Sequence, residues 1–246
     1  MTIAIPIHQL SEANIPYLEE CLASVGNQST KPKTIVFCTE EVATVIKKAK
    51  IKVSTVIMDV NGYTNAVNNI ADTVEDEFLM VLEFDDVLNK DYLKSVEEHI
   101  GAYPDVDMFL PIVHEISTEN DFLALKNNIV WSYGQMAQMG YFSLDETKKN
   151  LNFSLSGAVY RTKVLRELRL KHMIPIYFNT EFLLRFLRHG RIAYVVPKVG
   201  IKHRHGRAGS YFEAIADAYD TPTRAAIIKS VKHEYMFDQD RKIDFE

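Results

Sequence analysis

Residues 77–93 read EFLMVLEFDDVLNKDYL, an apolar run that ends in three carboxylates, Glu83, Asp85 and Asp86. The run at 77–84 is so apolar that we predict a strand covered on both faces. Carboxylates this close repel one another and lose solvation when they are buried. Two explanations stay open from this stretch alone. Asp86 caps the following turn beside solvated neighbours, or the carboxylates hold a divalent cation, which prefers oxygen ligands.

The sequence before this strand alternates between short β-rich segments and amphipathic segments with helical spacing. Such alternation is typical of βαβ units, in which the strands are parallel. After about residue 103 the pattern becomes less regular, and Pro222 is predicted to interrupt the last helix. The other predicted strands are 2–7, 33–38, 52–58, 107–116 and 191–196, and the predicted helices are 15–25, 64–74, 90–100, 162–170, 178–188 and 211–232. The sequence therefore predicts an α/β fold.

The composition is that of a globular protein: 246 residues, 47% of them hydrophobic and 25% charged. With a formal net charge of -5, the chain has no general electrostatic attraction to nucleic acid or anionic membranes. Cys21 and Cys38 form neither a disulfide framework nor a spaced metal motif. No apolar run approaches the roughly 20 residues of a membrane span. We therefore expect a soluble cytoplasmic protein.

Three stretches carry a resemblance to a known family: AIPIHQLSEANIPYLEECLASVGNQSTKPKTIVF at 4–37, NGYTNAVNNIADTVEDEFLMVLEFDDVLNKDYL at 61–93, and FLLRFLRHGRIAYVVPKVGIKHRHGRAGS at 182–210. Their order resembles the inverting family 2 glycosyltransferases of the GT-A fold. The first is similar to the opening βαβ unit of that family, the second to its Asp-x-Asp metal motif, and the third to its late histidine region.

The resemblance implies a GT-A-type nucleotide-diphospho-sugar transferase fold, with a mixed, mostly parallel sheet flanked by helices. The sequence contains no internal repeat, low-complexity segment or Pro/Gly/Ser-rich linker, so we predict one domain over 1–246, with a nucleotide-binding half at 1–103 and an acceptor-side half with the C-terminal helices at 104–246. The resemblance also implies a metal-dependent inverting glycosyltransferase that uses a nucleotide-diphosphate sugar, most readily a UDP-sugar, and Mn²⁺ or Mg²⁺.

Carried over by position, Asp85 stands where the family binds the metal, and Glu83 stands where its first acid contacts the donor. His205 corresponds to the late histidine, a second metal ligand. His203 and His205 alternate on a strand and face the same side, so both are expected to point at one metal or diphosphate. Two surface histidines in a basic strand are the other interpretation of this segment. Arg207 is expected beside the donor phosphates, with plain solvation as its alternative.

The family places its catalytic base in a Glu-Asp pair, and Phe178 and Asn179 occupy those positions here. Glu181 is the nearest carboxylate, so we predict it as the base that deprotonates the acceptor hydroxyl. The alternative role for Glu181 is a first-turn acid that complements the helix dipole. The missing pair leaves open whether the base is shifted or the activity is lost.

The remaining predicted donor-binding residues lie at the ends of the first strands. Glu40 stands in for the family's Asp after the second strand, and an Asn-Gly turn allows close backbone approach. Together with Glu83 and Arg207, these residues are Pro6, His8, Glu40, Asn61, Gly62 and Asn68.

Two other function classes stay open. A nucleotidyltransferase is disfavoured because HQLSEAN after the first strand is neither basic nor Gly-rich. A non-catalytic module that binds a sugar nucleotide or a protein is motivated by the missing acid pair. The acceptor is not identified, and the basic run at 202–207 leaves a nucleic-acid acceptor open.

Overall fold

The structure, a computed structural model, describes residues 1–60, 62–132, 138–150, 153–172, 176–207, 209–210 and 218–234. Within them, nine strands form one sheet and eight α-helices flank it. The strands are β1 (Thr2–Ile7), β2 (Lys33–Cys38), β3 (Ser54–Ile57), β4 (Phe78–Val81), β5 (Val87–Leu88), β6 (Met108–Ile116), β7 (Phe122–Lys126), β8 (Val159–Arg161) and β9 (Ala193–Arg204). The helices are α1 (Ile15–Gly26), α2 (Glu40–Lys48), α3 (Tyr63–Thr73), α4 (Tyr92–Ala102), α5 (Leu144–Lys149), α6 (Thr162–Leu168), α7 (Phe178–Arg188) and α8 (Thr221–Glu234).

The strands follow the order β3-β2-β1-β4-β8-β6-β9-β5, with β7 beside β6. The pairs β1–β2, β2–β3, β1–β4 and β6–β9 are parallel and include most of the paired residues. The pairs β4–β8, β6–β8, β6–β7 and β5–β9 are antiparallel. The predicted mixed, mostly parallel sheet with flanking helices is therefore confirmed.

The strand β4 lies between two hydrophobic cores, as its apolar sequence predicts. Phe78 and Met80 face the core formed with α1, α2 and α4, whereas Leu79 and Val81 face the core formed with α3, α6 and α7. This division follows from the alternation of side chains along a strand. All four residues are buried, so β4 holds the acidic residues that follow it at a fixed place.

Two predicted strand boundaries are wrong in ways that shape the site. The fourth strand ends at Val81 rather than at 84, so Glu83, Asp85 and Asp86 lie on a turn in which the Asp86 amide donates to the Glu83 carbonyl. The last strand continues to Arg204 instead of ending at 196, because it pairs with β6 and β5 along its basic part.

The helix α2 was not predicted from the sequence. Its N-cap is Thr39, whose hydroxyl accepts a hydrogen bond from the Val42 amide, and Glu40 and Glu41 occupy its first turn. Pro222 does not interrupt the last helix, since α8 starts at Thr221 and proline fits a first turn. Residues 211–217 of that predicted helix lie outside the described part of the chain. Among the described residues, no helix has the length and apolar character needed to cross a membrane.

Candidate active site

A cleft opens at the carboxyl ends of the parallel strands. The strands β1 and β4 are neighbours there, although the chain passes through β2 and β3 between them. Ligands of open α/β sheets bind in such a crevice, where the strand order reverses. The lining residues are Pro6, His8, Val60, Tyr63, Ala66, Glu83, Phe84, Asp85, Glu115, Phe153, Ser154, Ser156, Phe178, Asn179, Thr180, His203, Arg204, His205, Arg207 and Ser210.

Glu83, Asp86 and His203 form a compact cluster beside this cleft. Each offers a ligand atom, and these atoms all lie within 4.8 Å of one another. The antiparallel pairing of Val87 with Lys202 brings the acidic turn alongside the end of β9. As a result, His203 Nδ1 lies 3.0 and 3.1 Å from the two Asp86 carboxylate oxygens.

Burial and the neighbouring charges shift the pKa values of Glu83 and His203 in this cluster. Burial raises the pKa of Glu83 to about 7, against an opposing effect of His203. Burial alone would lower the pKa of His203, but the charge and hydrogen bond of Asp86 raise it to about 10. Two carboxylates and a neutral imidazole are a donor set that Mn²⁺ accepts, so the binding of Mn²⁺ would release the His203 proton, and the carboxylates suit Mg²⁺. The residues present therefore fit a divalent cation.

Asp85 has a different partner from Asp86. Its Oδ2 accepts a hydrogen bond from Arg207 Nε at 2.6 Å, and each of these two residues is only 5% exposed. The guanidinium of Arg207 lies 4.4 Å from the centre of the Phe84 ring. Burial raises the pKa of Asp85, and the arginine opposes that shift. In this arrangement Asp85 holds Arg207 at the wall of the cleft.

His205, which follows β9, lies beside Glu115 of β6. Its Nε2 is 3.3 Å from Glu115 Oε1, and its ring is 4.7 Å from the ring of His203. Burial lowers the pKa of His8, and Arg207 adds to that effect. The cleft therefore combines carboxylates, imidazoles and a guanidinium in one place.

Glu181 faces away from the cleft, although the residues before it line the cleft wall. Its carboxylate is fully buried and accepts hydrogen bonds from Arg185 Nε at 2.7 Å and Nη2 at 3.0 Å. Lys171 Nζ lies 2.9 Å from the same carboxylate. Arg185 also donates to the Leu168 and Arg169 carbonyls, so Glu181 helps to join α7 to the end of α6.

Comparison with known proteins settles the family. The profile described as Glycosyl transferase family 2 matches residues 2–169, which include the acidic turn. The chain belongs to glycosyl transferase family 2. The resemblance seen in the sequence is thereby confirmed. No curated protein sequence gives a match.

Solved structures of the S. aureus protein TarS share the fold. TarS 1–349 in complex with UDP-GlcNAc is 16% identical, with a TM-score of 0.63, over 94% of this chain and 64% of that one. The UDP complex is also 16% identical, with a TM-score of 0.56, over 95% and 70%. Full-length TarS is 16% identical, with a TM-score of 0.57, over 97% and 44%. This family 2 chain thus has a GT-A fold and spans less than two thirds of the UDP-GlcNAc-bound relative.

The structure brings only some of the predicted donor residues of this family 2 chain to the cleft. Pro6 and His8 line it, and Gly62, with φ of 76°, is the N-cap of α3 directly before the lining residue Tyr63. Glu40 is exposed at the start of α2 and lies outside the cleft lining. Asn61 lies outside the described residues.

Asn68, a predicted donor-binding residue, forms hydrogen bonds that connect two segments of the family 2 domain. Its side-chain amide donates to the Leu170 carbonyl at 2.9 Å and accepts from the Leu170 amide at 2.8 Å. These two buried bonds join α3 to the segment after α6.

Sequence reasoning also missed part of the cleft lining, namely Tyr63, Glu115, Ser154, Ser156 and Thr180. These residues are dispersed along the chain and form no local motif.

Proposed function

We propose that this chain transfers a sugar from a nucleotide-diphosphate donor, a UDP-sugar, to an acceptor hydroxyl with inversion at the anomeric carbon. The observation that carries the proposal is the carboxylate–imidazole cluster beside Arg207, in a cleft at the switch point of a family 2 fold. The binding of UDP-GlcNAc by the structurally similar TarS supports the choice of donor. The acceptor is not identified by this cleft.

Glu83, Asp86 and His203 would hold the divalent cation, Mn²⁺ or Mg²⁺. A cation bound there neutralises the donor diphosphate and stabilises the departing nucleotide. The sequence assigned this role to Asp85 and His205. The geometry favours Asp86 and His203, because Asp85 is held by Arg207 and His205 lies beside Glu115. Arg207 is positioned to donate to the phosphates as a fixed guanidinium.

The transfer itself breaks the bond between the anomeric carbon and the phosphate oxygen. The acceptor oxygen forms the new bond, its proton passes to a base, and the bonding electrons leave with the nucleoside diphosphate. The sequence proposes Glu181 as the base. In its present position the carboxylate faces Arg185 and Lys171, so this role requires α7 to present it differently when an acceptor binds.

The test is nucleotide release from a panel of nucleotide sugars, with Mn²⁺ and with EDTA. We expect cation-dependent release of UDP from at least one UDP-sugar, and loss of release in Asp86→Asn. Cation-independent release, or full activity in that variant, would contradict the proposed cation site. Release of pyrophosphate would instead support a nucleotidyltransferase.

A second candidate function is a module that binds a sugar nucleotide without transferring the sugar. The observation that favours it is the α7 wall of the cleft, which presents Phe178, Asn179 and Thr180 while Glu181 is buried. Tight cation-dependent binding of UDP, without hydrolysis or transfer over a broad acceptor panel, would support this candidate over the enzyme.

A further inference from the structure

We propose that Arg204 is a positioning residue, whose side chain fixes the peptide between Asp85 and Asp86 so that the two carboxylates keep separate partners. This inference rests on the proposed function, since it concerns the cation and diphosphate sites of the same cleft. Arg204 is the last residue of β9, and its side chain is 1% exposed. The hydrogen bonds of its guanidinium, rather than its charge, carry the inference.

The register of the sheet sets Arg204 beside the acidic turn. In the antiparallel pair of β5 with β9, Val87 is opposite Lys202. Continuing this register beyond the end of β5 places Arg204 alongside Asp85. The Arg204 amide accordingly donates to Asp86 Oδ1 at 3.1 Å, and its side-chain Nε donates to the Asp85 carbonyl at 3.2 Å. The turn is therefore held by both the backbone and the side chain of one residue.

The rest of the guanidinium is bound to two other parts of the chain. Its Nη2 donates to Glu20 Oε2 of α1 at 2.8 Å, and its Nη1 donates to Asn120 Oδ1, in the turn between β6 and β7, at 3.0 Å. The centre of the Tyr17 ring of α1 lies 4.9 Å from the guanidinium carbon, within the range of a cation–π contact. Because all three nitrogens have protein partners, Arg204 supports the turn rather than binding a donor phosphate.

The peptide that the guanidinium holds sets the directions of two side chains that the proposed function uses. Asp86 belongs to the cluster with Glu83 and His203, whereas Asp85 binds Arg207. The peptide bond between the two aspartates is planar, so a rotation of the Asp85 carbonyl would reorient both residues. With this carbonyl bound, each carboxylate stays directed at its own partner.

The charge and the hydrogen bonds of Arg204 act on Mn²⁺ binding in opposite directions. A guanidinium repels a nearby cation, so removal of the charge alone would strengthen Mn²⁺ binding. Removal of the hydrogen bonds would weaken it, because an outer partner that orients metal ligands typically contributes a factor of about 10 to 100 in affinity. The sign of the change in Arg204→Met therefore separates positioning from electrostatic repulsion.

The experiment measures binding of Mn²⁺, and then of UDP in Mn²⁺, to the full chain and to Arg204→Met by titration calorimetry. We expect both affinities to fall by a factor of about 10 to 100 in the variant, since both aspartates lose their fixed direction. Unchanged or tighter Mn²⁺ binding in the folded variant, or a fall in only one of the two affinities, overturns the proposal. If the wild-type chain binds no UDP in Mn²⁺, the proposed function is rejected and this inference falls with it.

Two further variants separate positioning from a general loss of stability. Val164→Ala removes buried volume from the core formed with α3, α6 and α7, so it should lower the melting temperature and leave both dissociation constants unchanged. Arg204→Lys keeps the charge, but one ammonium group cannot reach acceptors on the acidic turn, α1 and the β6–β7 turn at once. It should therefore weaken both affinities, and it makes the same test if Arg204→Met does not fold. Wild-type affinities in Arg204→Lys, or an equal loss in Val164→Ala, overturn the proposal.

Discussion

At the scale of single residues, the two neighbouring aspartates of the acidic turn have different hydrogen-bond partners. Asp86 accepts from His203 and from the Arg204 amide, whereas Asp85 accepts from Arg207. Adjacent side chains on a turn point in different directions, so one of them reaches β9 and the other reaches the loop after it. The family motif alone does not distinguish these two roles.

Asp86→Asn should weaken Mn²⁺ binding tenfold or more, because it removes a carboxylate from the cluster with Glu83 and His203. Asp85→Asn should weaken UDP binding by a factor of about 10 to 100, the usual effect of losing an orienting partner, because Arg207 loses its anchor. Calorimetric titration of each variant with Mn²⁺ alone, and then with UDP, separates the two effects. If Asp85→Asn abolishes Mn²⁺ binding while Asp86→Asn does not, the assignment made from the sequence is the correct one.

The sequence predicts the acidic turn and the basic end of β9, but it does not predict which residues of the two segments meet. Glu83, Asp85 and Asp86 are visible because they follow an apolar run, and His203 and His205 because they alternate. Their contacts depend on the register of β5 with β9, which joins residues more than 110 positions apart. Local periodicity contains no information on such a register.

At the scale of elements, the sequence predicts the bounds of α7 correctly. It does not predict the side of the helix on which the Glu181 side chain lies. The buried residues Phe178, Thr180, Glu181, Phe182, Leu183, Leu184 and Phe186 cover nearly the whole circumference of this helix. Because no single polar face marks the solvent side, a helical wheel cannot show whether Glu181 faces the cleft or the α6 side.

Glu181→Gln should lower the free energy of unfolding by roughly 3–5 kcal/mol, since it removes the charge of the fully buried carboxylate that Arg185, whose side chain is 12% exposed, and Lys171 contact. Glu167→Gln is the matched control, because Glu167 forms an exposed pair with Arg191 worth about 0–1 kcal/mol. Urea unfolding measures both. A Glu181→Gln chain of wild-type stability that no longer transfers sugar would favour the catalytic role over the structural one.

A second element-scale prediction concerns Gly200 in β9. A Cβ at this position would lie 2.7 Å from Pro111 Cβ and closer still to the buried Tyr92 ring, so β9 reaches both β6 and α4 only with glycine there. Gly200→Ala should destabilise the fold by about 1–3 kcal/mol.

Gly101→Ala in α4 provides the control, since its added methyl group meets nothing within 4 Å. Alanine in a helix is favoured over glycine by roughly 0.5–1 kcal/mol, so this variant should be at least as stable as the wild type. Thermal unfolding followed by circular dichroism compares the two. Equal melting temperatures for Gly200→Ala and the wild type would show that β9 has room to move.

At the scale of the whole molecule, the part of the chain that the family profile matches is shorter than the part that forms the sheet and its cores. The match ends at residue 169, but β9 lies beyond it and pairs with β6 along most of its length. A chain that ends at 169 lacks this inner strand and α7, whose Phe182, Leu183 and Phe186 fill one of the two cores. We expect such a chain to show no cooperative unfolding in urea, in contrast to the full chain. A sharp transition in the shortened chain would contradict this view of the core.

The link between the acidic turn and His203 has a consequence for synthesis on the ribosome. Asp86 and His203 are 117 residues apart in sequence, and translation adds about 5–20 residues per second. For roughly 6–23 s, each nascent chain therefore exposes three carboxylates whose imidazole and guanidinium partners have not yet been made.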